Sequence, residues 1–123
     1  MTGLEIVTRA LVLLNYTNPA GEVDSNQNAE QLRRALPILN TVLADIAFIR
    51  RTKPVPVTDL NAEPDIPEEV AVRLAVPGVA MYLAQGEGDA DNYNRWANEY
   101  IGRRSGVSRA PERVVDVSPR VEI

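Results

Sequence analysis

The chain has no cysteine and no histidine among its 123 residues. The first absence excludes a disulfide framework and thiolate chemistry. The second removes the commonest general base and the commonest metal ligand, and leaves Ser25, Ser105, Ser108 and Ser118 without an imidazole to activate them. Aromatic side chains are few: Phe48, Trp96 and four tyrosines, too sparse for a base-stacking platform. Basic charge is outweighed, with 13 Lys and Arg against 17 Asp and Glu, so the net charge of -4 argues against a general nucleic-acid binder. No apolar run approaches the ~20 residues of a membrane span, and residues 10–14 are too short a run for a secretory signal. The chain is expected to be made, and to stay, in the cytoplasm unless an assembly carries it elsewhere. A glycine-rich phosphate loop is also missing.

What is present reads as helix. An apolar fraction of 45% over 123 residues suits one compact domain with a modest core. Thr2 and Glu5 form a capping-box pattern. Leu4, Val7, Leu11 and Leu14 then make one helical stripe, with Ile6, Ala10 and Leu13 beside it. Residues 15–21 are turn-rich. A second helix is expected from Asp24 or Ser25, with Leu32, Leu36, Leu39, Leu43 and Ile46 on its core face. Pro37 falls inside it and predicts a kink, because proline removes a backbone bond and crowds the preceding turn. Arg50, Arg51 and Lys53 place positive charge at the helix end.

Prolines 54, 56, 64 and 67 bracket an extended connector, in which Val55 and Val57 alternate as in a short edge strand. Residues 65–69 are a helix start, with proline early and acids in the first turn. Residues 70–84 are apolar almost all round, interrupted mainly by Arg73 and the Pro77-Gly78 pair, as in a helix buried on several sides. Asp89 or Asp91 caps a last helix carrying Tyr93, Trp96, Ala97, Tyr100 and Ile101 on one face, with Gly102 as its expected stop. The acidic loop at 87–92 fails the calcium-loop pattern: counted from Asp89, the glycine and glutamate places hold Asn94 and Tyr100. Glu68 and Glu69 are adjacent and so cannot face each other on a helix. No catalytic constellation, cofactor motif or metal cluster emerges, and a non-enzyme is expected.

The end of the sequence differs from the rest. From Val115 to Ile123, apolar or ring residues occupy 115, 117, 119, 121 and 123, and polar ones the places between. This period of two marks a half-buried strand. A strand needs partners for its backbone groups, and the expected partner is another chain, by strand addition. The other reading is a solvated terminus. Burying Val115, Val117, Val121 and Ile123 contributes roughly 6–12 kcal/mol. Fixing nine backbones costs about 9–18 kcal/mol, and each hydrogen bond returns about 1. One arm therefore binds weakly, and many arms on one ring bind together. The division is thus a helical body, residues 1–102, and an extended C-terminal arm, residues 103–123, docking on a neighbouring chain. Its candidate partner-binding residues are Arg113, Val115, Val117, Arg120, Val121 and Ile123. Five arginines against three acids give the arm +2, leaving -6 for the body.

The fold expectation is all-α: a small bundle of about four helices with an extended connector and a C-terminal arm carrying a short β-strand. In layout the chain resembles the small helical head-to-tail connector (adaptor) proteins of tailed bacteriophages. The likeness is carried by the first helix, 4–14; by Leu32-Arg33-Arg34-Ala35-Leu36-Pro37-Ile38-Leu39-Asn40; and by the connector Val57-Thr58-Asp59-Leu60. Asp65-Ile66-Pro67-Glu68-Glu69 and Leu83-Ala84-Gln85-Gly86-Glu87-Gly88-Asp89 complete it. That resemblance implies a ring, typically of twelve subunits, beneath the portal protein at the virion's head–tail junction. It also implies contacts with tail or nozzle proteins, arms reaching into the portal or an adjacent subunit, and passage of double-stranded DNA without sequence-specific binding. No membrane contact is expected. The alternative is a cytosolic helical adaptor that binds one protein partner through its C-terminal strand. A further alternative, a small DNA binder using Arg33-Arg34 or Arg50-Arg51-Lys53, requires steeply salt-dependent binding that an acidic body does not favour.

Overall fold

A computed structural model describes residues 1–108. Among them the fold is all-helical, with four helices and no strand. Helix α1 spans Gly3–Leu13 and α2 spans Ala29–Arg50. Helix α3 runs over residues 68–86 as Glu68–Val70, a π-helical stretch Ala71–Ala75 and Val76–Gly86. Helix α4 spans Ala90–Ser108. The arm strand expected at 115–123, with Arg113, lies outside the described residues.

The start of α1 follows from two residues. The Thr2 hydroxyl accepts from the Glu5 N–H at 3.1 Å, and the Glu5 carboxylate accepts from the Thr2 N–H at 2.7 Å, closing the expected capping box. The connector then pins this end: Gly3 and Leu4 donate to the carbonyls of Ala62 and Leu60. A Cβ on Gly3 would stand 2.8 Å from Leu39 Cδ2 and 3.2 Å from the Leu60 carbonyl oxygen, so a larger residue there would force Leu39 or the connector to shift. Asn15 and Gly21, both at positive φ, turn the chain between the first two helices.

Helix α2 begins later than expected. Asp24 Oδ1 accepts from the N–H groups of Asn26 and Gln27, so Asp24 caps a turn, and the regular helix opens only at Ala29. Pro37 is accommodated inside one continuous helix. The expected strand at Val55 and Val57 does not form. The Asn40 side-chain amide instead takes both backbone groups of Val57, donating to its carbonyl at 3.0 Å and accepting from its N–H at 2.8 Å. A single side chain thus supplies what a partner strand would have supplied.

Helix α3 is the central element, buried along Val70, Ala71, Leu74–Met81, Leu83 and Ala84, with α1, α2 and α4 packed around it. Ile6, Val7, Ala10, Leu11, Leu39, Val42 and Ile46 complete the core from α1 and α2. The Pro77-Gly78 pair lies inside this helix and does not interrupt it. A Cβ on Gly78 would stand 2.8 Å from Tyr100 Cε1 and 2.9 Å from Val42 Cγ1, so the glycine admits α4 to the core. The expected stop at Gly102 does not hold: α4 passes through Gly102 and is described to Ser108. Tertiary contacts of Arg103 and Arg104, described next, outweigh the ~1 kcal/mol that a helical glycine costs relative to alanine.

Candidate interaction surface

Helix α1 divides its apolar residues between two faces. Ile6, Val7, Ala10, Leu11 and Leu14 are buried, whereas Val12 and Leu13 remain 48% and 38% exposed. With Thr8 and Arg9 they form one wall of a groove of about 390 Å³. Val72, Val76 and Pro77 of α3 form its floor, and Trp96 and Arg103 of α4 close the far side. Trp96 and Arg103 are seven residues apart, two helical turns on one face, so the groove runs along α4 for about 10 Å.

The floor owes its shape to Pro77. Proline has no N–H to return to the Arg73 carbonyl four residues back, and the helix widens into the π-helical stretch just before it. Val76 N–H accordingly donates to Ala71 O, five residues back. The Arg73 carbonyl is served from outside the helix, by Arg103 Nη1 at 3.3 Å, while Arg103 Nε donates to Glu99 at 3.1 Å. Val72, on the widened turn, is left 38% exposed at the groove. Single π turns recur at functional sites, where they turn side chains out of the regular helical path.

Trp96 is only 7% exposed, yet its buried indole N–H has no hydrogen-bond partner. An unmet buried donor costs about 1–3 kcal/mol. The neighbouring Arg95 guanidinium lies 5.1 Å from the ring centroid, in cation–π range.

On another side of α4, Asp45 of α2 gathers three bonds. Arg104 donates to both carboxylate oxygens at 2.9 Å, and the Tyr100 hydroxyl donates at 2.5 Å. Arg104 holds the Asp45 carboxyl below the usual carboxylate range, with Tyr100 adding to the effect against partial burial. Burial, then the Asp45 carboxylate, push the Tyr100 phenol above its ordinary value. A parallel pair ties the loops: Tyr16 donates to Asp89 at 2.7 Å. Burial raises the Tyr16 phenol, and its hydrogen bond, with help from Asn92, lowers the Asp89 carboxyl. Asp89, read above as part of a failed calcium loop, thus caps α4 by accepting from Asn92 N–H and holds Tyr16.

Near the Asp45 cluster, Phe48 is 77% exposed and Ile101 is 61% exposed, the latter against its expected place on the buried face. At the end of α2 a smaller cavity of about 240 Å³ mixes Arg50 and Lys53 with Asp65, Leu43 and Val55. Arg33 pairs with Glu30, and Arg34 with Glu87 at 2.7 Å, so both arginines of a candidate DNA-reading pair are engaged within the fold.

The candidate residues Arg113, Val115, Val117, Arg120, Val121 and Ile123 fall outside the described residues, so none of them is placed against this surface. Of the groove residues, Val12 and Val72 were not singled out by sequence, and Leu13 was placed beside the core stripe instead. Their one legible signal was surplus: α1 has more apolar positions than one stripe can bury, and α3 is apolar almost all round. Among the described residues, no helix is long and apolar enough to cross a membrane. Comparison with protein-family models, curated proteins and solved structures finds no match to this chain.

Proposed function

We propose that this chain is a structural head-to-tail connector of a tailed bacteriophage, a ring subunit beneath the portal that extends the DNA channel and joins the tail. The observation that carries the reading is the layout of the body: four helices and an extended connector in the order on which the resemblance rests. Apolar side chains left exposed on more than one face, Val12, Leu13 and Val72 on one and Phe48 and Ile101 elsewhere, suit a subunit completed by its neighbours. The acidic balance suits a channel wall that repels phosphates and lets DNA slide. The period-two segment 115–123 suits an arm that docks on the portal or an adjacent subunit, each contact weak and the ring strong.

The test is the mass of the purified protein, alone and mixed with the portal ring encoded in the same genome, by light scattering or native mass spectrometry. A closed multimer, or many copies bound per portal, is expected. A monomer that ignores the portal would leave the single-partner adaptor in its place.

A further inference from the structure

We propose that copies of this chain meet head to tail, with Phe48 of one copy seated in the groove that α1, α3 and α4 form on the next. This contact deepens the connector reading and rests on it for the expectation that copies meet at all.

The chain carries two apolar faces of different shape. One is concave: the groove of about 390 Å³ with the exposed side chains of Val12, Leu13 and Val72. The other projects. Phe48, the chain's one phenylalanine, is the most exposed large apolar side chain among the described residues, and Ile101 is the next. Phe48 lies three residues after Asp45 on α2, and Ile101 three before Arg104 on α4. Each is thus within one turn of the Asp45–Arg104 ion pair, which puts both on the side of the molecule where α2 and α4 meet. The groove opens elsewhere. Trp96, in its wall, and Ile101 are five residues apart on α4, about 140° around the helix. Tyr100 and Arg104, both bonded to Asp45 of α2, fall between them.

That placement decides the occupant. Two faces on different sides of one folded chain cannot cover each other. A two-fold contact sets like against like: groove on groove leaves Phe48 in water, and Phe48 on Phe48 leaves the groove open. A heterologous contact, one face of each copy on the other face of the next, covers both in every copy. Exposed apolar patches mark such contact sites.

The chemistry of the groove suits a phenyl ring. An apolar cavity of about 150 Å³ already holds a benzene molecule, so the groove has room for the Phe48 side chain. Its lining is apolar except for Thr8, Arg9 and Arg103. Arg9, exposed on the rim, can lie over the face of an inserted ring, within the roughly 6 Å of a cation–π contact. Val72, on the π-helical stretch, stands exposed where that ring would enter. The angle of the contact then determines whether the copies close into a ring or run on as a filament.

The test takes two variants of the full chain, Val72→Glu in the groove and Phe48→Asp on the projecting face. Both positions are exposed, and circular dichroism should show the parent's helix signal in each. In sedimentation velocity the parent is expected to associate as its concentration rises, and each variant alone to associate about tenfold more weakly or not at all. Mixed in equal amounts, the two variants should form a dimer and nothing larger, because the intact groove of Phe48→Asp accepts the Phe48 of Val72→Glu. A second measurement needs no charged variant. The chain has no cysteine, so Val12→Cys with Phe48→Cys in one chain should yield a ladder of disulfide-linked copies under mild oxidation, and either cysteine alone should not. A mixture that stays monomeric, variants that associate as the parent does, or a parent that never associates would each overturn the contact. Binding of the same variants to the portal ring is read separately: many copies per portal despite either substitution would leave the connector reading standing while this contact fails.

Discussion

At the scale of single residues, the helices are fixed by side chains that complete one another's bonds. Asp45 is the clearest case, because Arg104 and Tyr100 both depend on it to join α2 to α4. Asp45→Asn keeps the shape but removes the charge that Arg104 needs. With the carboxylate about one third exposed, the expected loss is modest, about 1–2 kcal/mol, read from a urea midpoint at neutral pH. The pH dependence follows in sign. A carboxyl held below its ordinary value stabilises the fold above the ordinary carboxylate range, and that contribution disappears as pH falls through the lowered value. Tyr100 and Tyr16 act at the other end: their raised phenols keep the proton in the fold, so stability declines once pH passes the ordinary tyrosine value of about 10. Asp45→Asn should therefore flatten the acid limb of a stability profile; an unchanged limb would show that other carboxylates govern it. Gly78→Ala is expected to cost more than its size suggests, about 1–3 kcal/mol by overpacking, since its Cβ meets Tyr100 and Val42 at under 3 Å. A melting temperature equal to the parent's would mean that α4 yields freely.

At the scale of the element, periodicity located helices well and their faces less well. The capping box, the proline start before α3 and the alternating core of α2 were legible because each is set by neighbours in sequence. Leu13 and Ile101 were not, since a stripe read at 3.6 residues per turn leaves its edge residues undecided until another element covers them. Pro77-Gly78 was placed inside the helix, but its purpose was not legible, because what each residue does depends on α4: Arg103 serves the carbonyl that Pro77 leaves free, and Tyr100 fills the space beside Gly78. Gly102 misled for the same reason. A glycine reads as a stop until two arginines beyond it find partners on α3 and α2. Truncation makes this measurable. Ending the chain after Ser108 should leave helix content and melting temperature close to those of the full chain. Ending it after Gly102 removes the Arg104–Asp45 pair and the cap on Arg73, and should cost about 2–4 kcal/mol. Equal stability of the two truncated forms would show that the last six residues of α4 contribute nothing to the fold.

At the scale of the whole molecule, the all-helical class and the order of the elements were open to a reader of the sequence. The groove was not, because it arises where three helices meet and one of them widens. Charge also divides differently from the first reading. Arg103 and Arg104 belong to the helical body, so residues 1–108 carry ten basic against fourteen acidic side chains, a net -4, and residues 109–123 are balanced at zero. Bodies of one sign repel when they are brought together in a ring, and the repulsion reaches as far as salt permits. The Debye length falls from about 30 Å at 0.01 M to about 8 Å at 0.15 M. If apolar faces such as Val12, Leu13 and Phe48 hold the subunits together, added salt should strengthen assembly by screening the acidic bodies while leaving those contacts intact. The average mass by light scattering is therefore expected to rise with sodium chloride over that range. A mass that falls instead would mean that ion pairs between subunits, rather than apolar contacts, hold the assembly, and would turn attention to the exposed cations Arg9, Arg73 and Arg95 as their source.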